Sequence, residues 1–479
     1  MPSRVLDRKR PWQIATGGGF VWASGEAPLG TDWEALLAPL TTVPRENGSQ
    51  ELLETARWLE QHLRAAGWEV TQHWYTAYPY EQRILGLLLL AGGLFYAMCI
   101  WRRRFGTAAL VAIFLPLIVI AQVDLRIPLT WFAPFPQPNV VARWPNPDAR
   151  EVLVFSAHFD TKTDLFDHVT RAPILVFSVP AAFLMFAVAA GSYVAQQAGN
   201  LSVGRLALAR ILGWVGAAYS VLLAAAFSGG MLLGRRSPGA LDDGAACATL
   251  LRLAYQLREE PPKNVEVNLV FFSGEEVAAQ GSAALLRRWK PDEQGRTVKV
   301  INLDPWGASA ALRVLGSERG FLRGNTPSPE VVALLDEAHR QIGAGPIETV
   351  PLVGLTDAWM WLQHGYPAAT VFSSMPPFIL PRSLHSGDDH RMRVDRPSLD
   401  FSVKFLDTVV RVLDRDAMAV PDEAPLAPRS SRVRAPQEIP QATREPGQGR
   451  STVFSEFAQG ALAQPGSPSG PAGARESLG

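Results

Sequence analysis

Residues 265–282 read VEVNLVFFSGEEVAAQGS, and the fold class turns on how they are read. Val265, Val267, Leu269 and Phe271 alternate with Glu266, Asn268, Val270 and Phe272. A period of two, rich in β-branched and aromatic side chains, predicts a β-strand buried on at least one face. Ser273-Gly274 then signals a turn, and Glu275 and Glu276 follow at once. Adjacent acids ordinarily belong to a solvated loop. At the carboxyl end of a buried strand they admit a second reading, in which one carboxylate handles a proton and the other holds a metal. The rest of the chain decides between the two.

Working outward, strand and helix patterns alternate. Downstream, residues 298–303 (VKVINL) read as a strand ending at Asp304, and residues 331–342 as a helix. Residues 367–372 (PAATVF) read as a short strand leading to His385 in SLHSGDD, and residues 400–414 as an amphipathic helix. Upstream, PGALDDG turns into a helix over 245–257, with Asp242 and Asp243 at its start. Residues 152–157 (VLVFSA) form a strand ending in His158-Phe159-Asp160, preceded by a strand over 139–142. Before that come a helix over 49–67, stopped by Gly67, and a strand over 68–75. This alternation predicts an α/β fold with a mostly parallel central sheet covered by helices. Ligands bind outside the carboxyl ends of the strands in such sheets.

Four apolar runs interrupt the pattern. Residues 84–100 and 107–123 are joined by Arg102, Arg103 and Arg104; residues 172–195 and 211–234 have Arg205 and Arg210 between them. Each run approaches or reaches the length that spans a bilayer. They read as two inserted transmembrane helical hairpins, at about 84–123 and 172–234. If His158, Asp242 and the later acids share one site, each interval must cross the membrane an even number of times, and two runs per interval satisfy this. The lipid bilayer is therefore an expected partner.

Composition removes other classes. Lysine plus arginine equals aspartate plus glutamate, 45 against 45 in 479 residues, so the balance is neutral and nothing suggests the basic footprint that nucleic acid would need. Two cysteines, Cys99 and Cys247, give neither a disulfide framework nor a thiolate zinc site. The N-terminus has basic residues without an apolar core and does not read as a cleavable signal peptide. Residues 1–40 read as a loosely ordered arm, and residues 419–479, rich in Pro, Ser, Gly, Ala and Arg, as a disordered tail. Nothing in the sequence fixes an oligomeric state.

Taken singly, the polar residues at the strand ends have ordinary explanations: Asp242 as a helix cap, Asp304 as a turn former. Together they place two histidines and several carboxylates at one sheet edge. Nitrogen and oxygen donors without thiolates suit zinc, manganese or cobalt. Two such metals bridged by a carboxylate make a co-catalytic hydrolase site, with one further carboxylate needed as general base.

The order HFD, ALDDG, FFSGEE, NLDPWG, LHSGDD resembles the zinc-dependent aminopeptidase family, which also holds glutamate carboxypeptidases, glutaminyl cyclases and the non-catalytic transferrin-receptor ectodomain. The likeness extends to PRENGS at 44–49 and to Thr356-Asp357, and covers most of residues 40–415 apart from the hairpins. It implies a peptidase domain over 41–415, two Zn2+ per chain and a peptide substrate. His158 and Asp304 would bind one metal, Glu276 and His385 the other, with Asp242 bridging. Glu275 would be the general base acting on a metal-bridging water, and Asp160 would accept a hydrogen bond from the His158 ring. An aminopeptidase is the activity implied, with carboxypeptidase, glutaminyl cyclase or non-catalytic scaffold as alternatives. Two departures stand out: the spans between His158 and Asp242, and Pro305-Trp306 after Asp304. Arginines in the hairpin loops put those loops in the cytoplasm by the positive-inside rule. Arg83, Arg126, Arg171, Arg235 and Arg236 flank the spans on the domain side and pull the other way. The family works mostly outside the cytoplasm, so the resemblance implies an outward-facing domain.

Overall fold

The computed structural model describes residues 12–14, 20–22, 32–289, 295–320, 322–375 and 379–419. The tail expected beyond residue 419 and most of the arm lie outside them. All elements below belong to the unit Met1–Ala427.

Strands β1 (Trp12–Ile14) and β2 (Phe20–Trp22) form an antiparallel pair. Within the stretch read as a loosely ordered arm, Trp33–Thr41 instead forms helix α1. Asp32 caps it by accepting from the Glu34 N–H at 3.0 Å, and Leu36, Leu37 and Leu40 are buried in the main core. Helix α2 (Gln50–Ala65) is capped by Ser49, which accepts from the Leu52 N–H at 3.2 Å. Strand β3 (Glu69–Ala77) follows. Helices α3 (Glu81–Trp101) and α4 (Phe105–Val123) come next, then β4 (Phe135–Trp144) and β5 (Glu151–His158). The second helical insertion is α5 (His168–Val176), α6 (Ser178–Gln197) and α7 (Val203–Ser228). Then come α8 (Ala245–Glu259), β6 (Val265–Phe272), α9 (Gln280–Leu286), β7 (Thr297–Leu303), β8 (Leu312–Arg319) and β9 (Gly324–Asn325). The chain continues through α10 (Pro329–Gln341), β10 (Glu348–Gly354), α11 (Asp357–Gln363), β11 (Ala368–Ser373) and α12 (Arg396–Ala419).

One mixed sheet runs β10-β8-β11-β7-β5-β6-β4-β3, with β9 on β8. Its centre, β11-β7-β5-β6, is parallel as expected. The flanks depart from that: β4 is antiparallel to β6 and β3, and β8 to β11. Strand β6 is buried along its whole length. Val265, Val267, Leu269 and Phe271 join the large core with α1, α2, α8 and α12. Val270 and Phe272 face a second core containing Trp359 and Trp361 of α11.

The register places the insertions. Ala77 pairs with Phe135, so β3 and β4 form a β-hairpin whose turn is replaced by α3 and α4. Val140 pairs with Phe271, so the Phe135 end of β4 lies at the carboxyl end of β6. Helices α5–α7 leave from the carboxyl end of β5. Both insertions thus depart from the sheet edge that carries His158 and Glu275.

Four helical segments are long and apolar enough to cross a membrane: Glu81–Trp101, Phe105–Val123, His168–Gln197 and Val203–Leu232. Their outward surface is apolar, with Leu110 56%, Phe114 59%, Trp214 57% and Phe183 71% exposed, which water would not favour and lipid would. Helices α3 and α7 pack through small residues, Gly86 against Ser228 and Gly93 against Ser220. The fourth apolar stretch begins earlier than its hydropathy suggests. Ser202 caps α7 by accepting from the Arg205 N–H at 3.3 Å, so Arg205 and Arg210 belong to the helix rather than to the connecting loop. The Arg210 guanidinium lies 4.4 Å over the Trp101 ring, which brings the two hairpin tips together.

Candidate metal centre

Each candidate side chain stands where a buried element ends. His158 is the last residue of β5, Asp304 follows β7 directly, and Glu275 and Glu276 follow the Ser273-Gly274 turn after β6. Asp242 lies in the irregular segment Ala240–Gly244 that precedes α8; Gly244 stands at the cap position of that helix, so Asp242 is not the helix cap that its position suggests. His385 sits in the loop after β11 with φ +57°.

These residues converge. The Asp242 carboxylate faces both histidines: Oδ1 lies 3.0 Å from His158 Nε2, and Oδ2 lies 2.9 Å from His385 Nε2. Glu276 Oε1 is also 2.9 Å from His385 Nε2, and Asp304 Oδ1 is 3.9 Å from His158 Nε2. His158, Asp242, Glu275, Glu276 and His385 are all buried. Despite these approaches, His158 Nε2 and Glu276 Oε1 make no hydrogen bond. Close but unbonded nitrogen and oxygen donors are what a set of metal ligands presents to a cation, and the two-imidazole, multi-carboxylate inventory fits zinc.

The supporting residues differ from expectation at one point. The Asp160 carboxylate accepts from the N–H groups of Glu275 (3.2 Å) and Glu276 (3.1 Å) and from Asn47 Nδ2 (2.6 Å). It therefore holds the SGEE turn in place. The His158 Nδ1–H is directed at the Asp160 main-chain carbonyl, 3.1 Å away, with the carboxylate oxygen farther off at 3.5 Å. The tautomer is fixed by the residue expected, through a different atom. His385 Nδ1 has its own carboxylate, Asp164 Oδ2 at 2.8 Å. Asp389 accepts from the N–H groups of Leu241 (2.8 Å) and Asp242 (3.3 Å), tying the His385 loop to the Asp242 segment. Arg45, fully buried, donates to the carbonyls of Leu40, Phe159, Pro238 and Gly239 and so clamps the chain on both sides of the site.

The electrostatics follow from crowding acids in a low dielectric. Burial, then the fields of Glu276, Asp304 and Asp357, push the Glu275 carboxyl well above the usual carboxylate range, with His158 opposing. Asp304 moves the same way through burial and the neighbouring Asp242, Glu276 and Asp357. Burial would raise Asp242 too, but His385 and His158 outweigh it and hold it well below. Burial would lower His158, yet Asp160, Asp242, Glu275 and Asp304 drive it well above its ordinary value. Such a cluster is short of positive charge, which bound divalent cations supply.

Two residues of the site escape the sequence reading. Asp164 lies six positions after His158 in HFDTKTD, and a further acid after a strand end was the available signal. His168 opens α5, with its Nε2 buried and without a hydrogen bond; one of its ring nitrogens lies within 4.8 Å of ligand atoms of Asp242 and His385. An ionisable residue at the head of an apolar run was its signal. Beside Glu276 a cavity opens, lined by Glu46, Lys162, Gln82 and Arg83 and by Phe227 and Met231 at the end of the second insertion.

Residues 220–410 match the family described as Peptidase family M28. No curated protein matches the chain. Among solved structures the chain is similar to the zinc aminopeptidase BSAP of Bacillus subtilis, at 15% identity and a TM-score of 0.37, over 59% of this chain and 52% of that one. It thus spans about half the length of that relative. It is similar to the glutaminyl cyclase of Porphyromonas gingivalis at 16% identity and a TM-score of 0.45, over 80% and 96% of the two chains. The Legionella pneumophila aminopeptidase LapA gives 12% identity and a TM-score of 0.46, over 85% and 78%.

Proposed function

We propose that the chain is a membrane-anchored dizinc metallopeptidase that hydrolyses peptide bonds as an aminopeptidase. The observation that carries this reading is the position of Asp242, whose two carboxylate oxygens face two different histidines at 3.0 and 2.9 Å. A carboxylate so placed would bridge two cations held by those histidines. His158 and Asp304 complete one position, Glu276 and His385 the other. Zinc bound there supplies Lewis acidity toward the scissile carbonyl and the attacking water.

The remaining chemistry belongs to the chain. Glu275 stands beside the ligands but is not needed as one, which leaves its carboxylate free to take a proton from water and deliver it to the leaving amine. Asp160, holding the Glu275 and Glu276 N–H groups, fixes the base relative to the metals. The cavity beside Glu276 receives the peptide between the peptidase body and the helical insertions. The hairpin tips carry Arg102, Arg103, Arg104, Arg205 and Arg210, none of which forms an ion pair among the described residues. On the domain side Arg83 and Arg236 pair with Glu46, and Arg171 with Asp164. This distribution supports tips in the cytoplasm and a peptidase domain outside it.

Full-length protein in detergent, assayed on aminoacyl, carboxy-terminal and amino-terminal glutaminyl substrates, tests the activity. Release of amino-terminal residues is expected. In Glu275→Gln, turnover should fall by roughly 10²–10⁴ with zinc content unchanged. Unchanged turnover removes Glu275 as base, and cyclisation without hydrolysis replaces the peptidase reading.

A further inference from the structure

His168 is not part of the ligand set read from the sequence, yet it faces that set from an unexpected direction. It is the first residue of α5 and of the membrane-spanning candidate His168–Gln197. Its ring lies against the His385 ring, centroids 4.5 Å apart at 53°. One of its nitrogens is within 4.8 Å of ligand atoms of both Asp242 and His385. Its Nε2 is buried and has no hydrogen-bond partner. A buried, unbonded imidazole nitrogen is costly unless something takes its lone pair or proton.

The start of α5 is also held firmly. Asp167 caps the helix by accepting from the Thr170 N–H at 2.7 Å. Arg171, one turn on, donates to Asp164 Oδ2 at 2.7 Å, the oxygen that receives His385 Nδ1 at 2.8 Å. One carboxylate therefore aligns the ring of His385 and the helix that carries His168.

We propose that His168 ligates the metal held by Asp242, Glu276 and His385. Glu276, whose Oε1 lies 2.9 Å from His385 Nε2, would be the fourth side chain at that position, against three at the His158, Asp242 and Asp304 position. A zinc site closed by four protein ligands is of the structural kind, and one with three keeps an open position for chemistry. The two metals accordingly divide their work. The three-ligand metal would face the substrate water, and the four-ligand metal, while still part of the two-metal site, would also fasten the second helical insertion to the peptidase sheet. This inference rests on the two-metal reading proposed above.

The test uses full-length protein in detergent, stripped by a chelator and titrated with zinc against a chromogenic competitor. Wild type is expected to take two zinc ions, and zinc to raise its thermal midpoint. In His168→Ala one affinity should fall by roughly 10²-fold or more, since even an outer partner of a ligand is worth 10–100-fold. The other affinity should stay, and the zinc-induced thermal shift should shrink. X-ray absorption on zinc-loaded wild type needs no variant, and should fit three imidazoles shared over the two metals rather than two. Two unchanged affinities in His168→Ala, or a fit to two imidazoles, overturn the role of His168 alone. A wild type that takes no zinc overturns the two-metal reading and this inference with it.

Discussion

At the scale of single residues, neighbourhood rather than residue type sets each task. Glu275 and Glu276 are adjacent in sequence, yet Glu276 points an oxygen at His385 while Glu275 is left beside the ligands with a raised proton affinity. Burial has a plainer effect away from the site. His62 is buried in α2, its Nδ1 3.0 Å from the Trp58 carbonyl, and burial lowers its pKa to about 4 against the backbone contact that raises it. Unfolded, it titrates at about 6.5. The unfolded state therefore binds more protons between these values, and the stability present above about pH 6.5 is lost as pH falls toward 4, by about 3 kcal/mol. Melting of metal-free wild type and His62→Phe between pH 4 and 7.5 checks this. The variant should lose less of its midpoint on acidification, and equal losses would rule the effect out. Most site residues were legible because a metal-capable side chain at a strand end is a local pattern. His168 was not, because its partners lie 74 and 217 positions away (242 − 168 and 385 − 168) and meet it only after the insertion folds back.

At the scale of elements, legibility tracked burial. Strand β6 and its parallel neighbours announced themselves because both faces are apolar. Strands β8 and β10 were missed: Arg313, Ser317 and Glu318 break the first, and the second is largely exposed or half-buried. Helix α1 was missed because Pro39 and a nine-residue length disguise it, and tertiary burial of Leu36 and Leu40 makes it stable. Among the apolar helices, Gly93 decides how closely α3 meets α7, because a Cβ there would overlap Ser220. Gly93→Val should force the helices apart and cost roughly 1–3 kcal/mol, seen as a lower thermal midpoint in micelles. Gly191→Val in α6, where nothing stands within 4 Å of a Cβ, is the control and should leave the midpoint unchanged. Equal effects of the two substitutions would remove the close α3–α7 contact from the account.

At the scale of the whole molecule, the sheet edge that gathers the ligands is also the edge from which both insertions leave. The site therefore faces the four helices that are long and apolar enough to span a membrane, and in the hairpin arrangement proposed for them an even parity of crossings keeps its parts in one compartment. Single cysteines at residues 103, 200 and 416, probed with an impermeant maleimide in intact cells, report this, since Cys99 and Cys247 are both buried. Residues 103 and 200 should label as a pair from the face opposite to residue 416, with residue 416 outside. Labelling of 103 and 416 from the same face would contradict the hairpin arrangement. The hydropathy runs made the insertions legible, but their shared edge is a matter of register that no run of sequence displays.

The central claim is that Asp242 joins two metals, and a zinc count on purified full-length protein tests it most directly. Wild type is expected to carry two zinc ions per chain, and Asp242→Ala, losing a ligand of both positions, to retain fewer than one while still melting cooperatively. Wild type without zinc, or Asp242→Ala with zinc undiminished, would contradict it.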